Sequence, residues 1–117
     1  IPWMPVNPNH ITIHVQAQLN DSESVLNYFR AMAKLRKEYP VLTYGSFRPF
    51  DSGVDSLFLF FRESQQEKML IVLNFSDQVA NLPNQVIPVL SKRLIGNYPE
   101  GKSQEELQPW EARVYNC

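Results

Sequence analysis

The sequence has one cysteine, and it is the last residue. Cys117 has no partner within the chain, which excludes an internal disulfide framework and favours a reducing, cytoplasmic compartment. Glycine is scarce, at four residues, and none falls in a phosphate-binding loop or a dinucleotide fingerprint. Neither sign of charge dominates. Eleven basic and 12 acidic residues give a net charge of −1, and the basic ones are dispersed apart from Lys34, Arg36 and Lys37. That balance supplies no electrostatic footprint for a phosphate backbone, so nucleic acid is not an expected partner. No apolar run reaches the roughly 18 residues of a membrane span, and no signal peptide opens the chain. Ile1 stands where an initiator methionine would, so the natural amino terminus is expected upstream. The 117 residues, 44% of them hydrophobic, suffice for one core. They are too few for an eight-stranded α/β barrel, which needs about 250 residues.

What is present divides into an irregular segment, a helix and a set of strands. Prolines at 2, 5 and 8 fix φ, remove donors and disfavour helix in the residues before them. Ile11, Ile13 and Val15 then alternate with Thr12, His14 and Gln16, a period of two that predicts a short strand or an extended segment. Over residues 21–39 the signals are helical. Asn20, Asp21 and Ser22 are amino-terminal caps, and no glycine or proline intervenes before Pro40. Val25, Tyr28, Phe29, Met32, Leu35 and Tyr39 form one apolar stripe that needs cover. Beyond it, strands are predicted at 43–50, 56–62, 68–75, 85–95 and 106–115. The continuous apolar run 69–73 reads as a central strand covered on both faces. Trp110, Ala112 and Val114 read as the inward side of a half-exposed strand, with Glu111 and Arg113 outward. Several short strands between turn signals predict an antiparallel sandwich. The fold class is thus mostly β: an extended segment and one amphipathic helix, then a β-sandwich.

No combination of side chains makes an active site. His10 and His14 have the spacing of a zinc-binding helix, but Ile11 stands where that motif needs glutamate. On an extended segment they would lie roughly 13 Å apart, too far to share a metal. Retaining hydrolysis of a glycoside requires two carboxyl groups about 5 Å apart. Asp51 and Asp55 flank a predicted turn, and Glu105 and Glu106 are neighbours that would point to opposite faces, so both pairs read as solvated loop charges. A nucleophile elbow and a cysteine placed beside a histidine are both lacking. Pro2 to Pro5 and Pro5 to Pro8 match P-x-x-P without a flanking basic residue. Asn20-Asp21-Ser22 and Asn74-Phe75-Ser76 match the glycosylation triplet, which about one triplet does by chance in such a chain. Neither pattern is read as functional. Catalytic residues, cofactor ligands and metal ligands are all expected to be absent.

Blocks of sequence in a fixed order carry a resemblance. They are Pro2-Trp3-Met4-Pro5-Val6-Asn7-Pro8-Asn9, Ser24-Val25-Leu26-Asn27-Tyr28-Phe29-Arg30, the junction from Leu35-Arg36-Lys37-Glu38-Tyr39-Pro40 to Thr43-Tyr44-Gly45, Leu70-Ile71-Val72-Leu73-Asn74-Phe75-Ser76, Gly96-Asn97-Tyr98-Pro99, and Leu107-Gln108-Pro109-Trp110-Glu111-Ala112-Arg113-Val114-Tyr115. Together they resemble the carboxy-terminal part of α-glucosidases, the maltases and oligo-1,6-glucosidases of the α-amylase superfamily. The resemblance implies that 1–42 is the tail of a catalytic barrel, a loop plus its last helix, and that 43–117 is the accessory β-sandwich. It implies an enzyme that hydrolyses terminal α-glucosidic bonds with retention, while its catalytic acids lie on earlier barrel strands that this sequence does not contain.

The partners implied are the remainder of the barrel and an oligosaccharide substrate. Trp3 is the one residue placed by the resemblance near a substrate-side loop, with a packing role as its alternative. Phe29 and Met32 would be buried against the barrel, or otherwise exposed and open to self-association. Two other readings share the same plan: a glucosidase-like protein without hydrolase activity, such as an amino-acid-transporter heavy-chain ectodomain, and a sucrose isomerase or trehalose-metabolising enzyme. An independent sugar-binding module is not expected, because Trp110 reads as a core residue.

Overall fold

The computed structural model describes residues 1, 3–101 and 103–117. Pro2, which belongs to the first P-x-x-P and to the Pro-Trp block, lies outside the described residues. The chain divides into two compact units, Ile1–Leu35 and Arg36–Cys117.

In the first unit the alternation at 11–16 does not make a strand. Pro8–Ile11 is a 3-10 turn with Pro8 in its first turn, and Asn7 closes it by accepting from the Asn9 N–H at 3.1 Å. The five-residue helix α1, Val15–Leu19, is capped by His14, whose Nδ1 accepts from the Ala17 N–H at 3.2 Å. Local caps override a period-two pattern too short to command a sheet partner. Helix α2, Val25–Glu38, follows. It starts a few residues later than the cap-rich 20–22 stretch suggests, because Ser24 is the residue whose Oγ accepts from the third helical N–H, Asn27, at 3.3 Å. Gln18 completes the joint: its Oε1 accepts from the Leu26 N–H at 2.9 Å, and its carbonyl accepts from Ser24 Oγ at 2.7 Å. Arg36 and Lys37 sit in the last turn, where cations suit the carbonyl end of the helix.

The second unit holds the sheets. Short helix α3, Val41–Tyr44, is followed by Gly45, where a Cβ would lie 2.5 Å from the Val41 carbonyl and 2.9 Å from that of Glu63. Only a glycine permits that approach. Five strands, β1 Ser46–Phe50, β2 Leu57–Glu63, β3 Lys68–Asn74, β5 Lys92–Gly96 and β7 Ala112–Asn116, form one antiparallel sheet in the order β1-β2-β3-β7-β5. Strands β4 Ala80–Asn81 and β6 Glu106–Leu107 pair as a separate ribbon. Leu57, Leu59, Phe61, Leu70, Val72 and Tyr115 from the large sheet meet Ala80, Leu82, Val86 and Leu107 in the core between the two layers. Strand β3 is central, and Met69, Leu70, Ile71 and Val72 are all buried, as their continuous apolar run requires. On the other face of the sheet, α3 packs on β2 and β3. There Phe47, Phe58 and Phe60 form a ladder with ring centroids 5.1 and 5.3 Å apart.

Three predicted strands are shorter than the sequence suggests. In 43–50 the first two residues belong to α3, and pairing begins at Ser46. In 85–95 the first half becomes a 3-10 turn, Ile87–Val89, and pairing begins at Lys92. The 106–115 stretch is broken by a turn at 108–111 and resumes as β7.

Candidate functional site

The side chains singled out in the amino-terminal unit do not converge. Trp3 is 90% exposed. His10 is engaged with the Asn7 carbonyl, Nδ1 to O 2.8 Å, and His14 caps α1, so each imidazole serves a local turn. Among the described residues no three of His, Cys, Asp and Glu are grouped as a metal ion would need. Asp51 accepts from the Gly53 N–H at 2.9 Å and shapes the β1–β2 turn. Glu106 lies on the ribbon strand β6. Cys117 is a free cysteine at the surface, and partial burial of its sulfur is the main cause that pushes the thiol pKa up.

One carboxylate among the described residues is buried, and it is Glu111, read from the sequence as solvent-facing. The expected alternation before and along β7 holds only in part: Val114 is buried as expected, but Glu111, Arg113 and Tyr115 are buried too, on the core side, and Trp110 is 60% exposed. Burying that side is feasible because its charges are matched internally. Arg113 donates from Nε to Glu111 Oε1 at 2.7 Å and from Nη2 to Oε2 at 3.0 Å, a bidentate fork. Its Nη1 donates to the Gln104 carbonyl at 3.0 Å and to the Tyr115 hydroxyl at 3.2 Å, and Nη2 also donates to the Glu106 carbonyl. Those five bonds use every N–H of the guanidinium. Burial lowers the Arg113 pKa, but the bonds to Glu111 and Tyr115 outweigh it and the net direction is upward. Glu111 Oε2 further accepts from the Gln108 N–H at 2.7 Å.

This cluster is a pin that fastens 104–108 to β7. Glu111 is held on both oxygens and Arg113 has no donor left, so neither is available to a substrate or a reacting proton. A half-open cavity of about 320 Å³ adjoins it, lined among others by Lys92, Arg93, Glu100, Ser103 and Gln104. Glu100 is the carboxylate on its lining, while Glu111 is engaged within the pin. The pin was legible only as three residues at i, i+2 and i+4 on one strand, Glu111, Arg113 and Tyr115, a signal hidden by the apolar residues between them.

The turn ahead of β7 is the other unusual feature. Glu111 N–H donates to the Gln108 carbonyl at 3.1 Å, with Pro109 and Trp110 between them. Trp110 has φ +57, the one left-handed non-glycine residue among those described. This is a type II arrangement, proline second and positive φ third, in which the third place favours glycine. A tryptophan there carries roughly 1–2 kcal/mol of backbone strain. Surrounding groups hold it. Trp110 N–H donates to the Ser76 carbonyl at 3.0 Å, Asn97 Nδ2 donates to the Trp110 carbonyl at 2.9 Å, and the Tyr98 hydroxyl donates to the Pro109 carbonyl at 3.0 Å. Asn74, buried, donates from Nδ2 to the Gln108 carbonyl at 3.0 Å and to that of Gln78 at 2.8 Å, which also removes it as a glycosylation acceptor.

Comparison with known proteins decides the family. A model of the α-amylase catalytic domain matches residues 1–45, and a model of a β-galactosidase C-terminal domain matches residues 61–116. The oligo-1,6-glucosidase of Parageobacillus thermoglucosidasius is 35% identical over 120 residues, covering 97% of this chain and 21% of the relative. The chain corresponds to the C-terminal part of an α-glucosidase-type enzyme of the α-amylase superfamily. A second relative of this type, the probable oligo-1,6-glucosidase 2 of Bacillus subtilis (strain 168), is 36% identical over 118 residues, again 97% of this chain and 21% of the relative. Among solved structures, the isomaltulose synthase of Klebsiella sp. LX3 superposes with a TM-score of 0.85 at 27% identity, covering 98% of this chain and 21% of that one. The trehalose-6-phosphate hydrolase of Bacillus licheniformis gives 0.81 at 28% identity, covering 98% and 22%. The chain therefore spans about a fifth of the length of the relatives it matches. Among its described residues no helix is long and apolar enough to cross a membrane.

Proposed function

We propose that this chain is the non-catalytic carboxy-terminal scaffold of an enzyme that hydrolyses terminal α-glucosidic bonds of isomaltose- and maltose-type oligosaccharides with retention of configuration. The observation that carries the reading is the similarity of 97% of the chain to oligo-1,6-glucosidases. The only buried carboxylate among the described residues, Glu111, is locked in the pin, while the retaining route needs two free ones facing each other about 5 Å apart. Those acids belong to the remainder of the barrel, which is the partner of this chain.

Within that reading, residues 1–42 are the barrel's last loop and helix and 43–117 the accessory sandwich. The match of 1–45 to a catalytic-domain model supports the division. So does the exposure of Ile11, Ile13, Val25, Phe29 and Met32, an apolar surface that a packed neighbour would cover. Trp3 belongs to the substrate-side loop. Without the barrel, the face carrying Phe29 and Met32 is where copies of the chain would associate. The compartment is cytoplasmic, on the single unpaired cysteine. A second reading, a sucrose isomerase or trehalose-phosphate hydrolase, is favoured by the solved structures of those two types.

The test is product analysis on the longer protein that contains this chain. Proton NMR of isomaltose turnover should show α-glucose released before mutarotation. Isomaltulose formed from sucrose, or glucose 6-phosphate formed from trehalose 6-phosphate, would transfer the assignment to the second reading. Absence of turnover on all of them would overturn both.

A further inference from the structure

Trp110 is unexplained by folding. Glycine would fit its left-handed turn position without strain, and with 60% of its surface exposed the indole does not fill the core. Yet the turn is clamped from three sides, by the Ser76 carbonyl, by Asn97 and by the Tyr98 hydroxyl, so the ring is presented to solvent on rigid backbone. Strain maintained by an over-determined surrounding marks a residue kept for what its side chain does.

We propose that the Pro109-Trp110 turn is a sugar-binding platform, on which a pyranose ring of an α-glucan oligosaccharide stacks. The apolar C–H face of a pyranose suits the face of an indole. The loop that holds Trp110 through Ser76 also carries exposed Asp77 and Gln78, whose side chains are joined to each other at 3.2 Å and offer acceptors and donors to ring hydroxyls. Phe75, on the same loop, is 62% exposed. A preformed ring loses little freedom on binding, which favours a weak ligand such as a short oligosaccharide. The expectation that the chain has no sugar affinity rested on Trp110 being a core residue, and the structure removes that premise. The choice of an α-glucan as ligand rests on the proposed function; the platform itself does not.

The sequence has two tryptophans, so Trp3→Phe leaves Trp110 as the only indole reporter. Maltotriose and isomaltotriose titrated into the Trp3→Phe chain should change the emission saturably. By calorimetry, Trp110→Gly in the otherwise unchanged chain should bind about tenfold or more weakly. An unchanged emission over the titration overturns the proposal, as does equal affinity in the Trp110→Gly chain. A spectral change that follows protein concentration instead of sugar identifies a second copy as the occupant and also overturns it. The Trp3→Phe titration decides even if Trp110→Gly fails to fold. Saturable binding of cellotriose without maltotriose would keep a platform but refute its α-glucan ligand. Turnover by the longer protein is measured independently, so failure of the platform leaves the proposed function standing.

Discussion

Arg113 grips Glu111 by two parallel hydrogen bonds, 2.7 and 3.0 Å, although the two residues are only two apart on the chain and both are buried. A pair of this kind contributes little compared with an apolar pair of the same shape, but breaking it is severe, since a charge is left alone in the core. Glu111→Gln should therefore destabilise the fold by about 3–5 kcal/mol. The double substitution Glu111→Leu with Arg113→Met should recover most of that loss. Urea denaturation of the parent, the Glu111→Gln variant and the double variant measures both, and a Glu111→Gln protein as stable as the parent would show that the pin is decorative.

Asn74 is the second internal fastener. Its amide supplies the two carbonyls at Gln78 and Gln108, and its Oδ1 accepts from Ser76 Oγ at 2.9 Å. Asn74→Ala strands these groups in a buried setting and should lower stability by about 1–3 kcal/mol. Asn74→Asp removes the donors while keeping the shape, so it should be at least as damaging. Thermal denaturation of both variants checks the order.

Strain at Trp110 predicts a substitution that helps. Trp110→Gly relieves the left-handed backbone but gives the unfolded chain more freedom, so the net gain should be about 1 kcal/mol or less. Trp110→Ala keeps the strain and should be less stable than Trp110→Gly. Chemical denaturation with circular dichroism on the two variants reads the difference.

Glu63 carries the pH dependence. The guanidinium of Arg48, bonded to it at 2.6 and 3.1 Å, holds the Glu63 carboxyl below the usual carboxylate range, with Lys68 Nζ adding to the effect from 3.5 Å. A carboxyl depressed in the folded state contributes stability that is present above its unfolded value and lost as pH falls through the folded one. The difference in melting temperature between the parent and Arg48→Gln should thus be small but present at pH 7 and vanish on acidification below the carboxylate range. Because both groups are at the surface, added salt should shrink it as well. A difference that grows on acidification would contradict the assignment.

Much of this architecture is legible from residues alone, and where it is not the reason is physical. The α2 stripe and the apolar runs of β2 and β3 announce themselves because long periodic segments and doubly covered strands leave unmistakable patterns. The alternation Ile11, Ile13, Val15 misleads because five or six residues obey period two by accident, whereas the caps supplied by Asn7 and His14 act immediately. Strand β7 misleads more instructively. A buried, mutually neutralised pair inverts the polarity rule, so Glu111 and Arg113 take the core side, and Trp110 passes to the surface. Trp3 could be singled out only through resemblance, since exposure on an irregular segment leaves no local signature.

The measurement that tests the central claim most directly is nitrophenol release from nitrophenyl α-glucoside, run side by side on the 117-residue chain and on the longer protein, with intact mass recorded for each sample. The account predicts turnover by the longer protein and none by a chain of 13.6 kDa. Turnover by a sample whose mass is 13.6 kDa would contradict it.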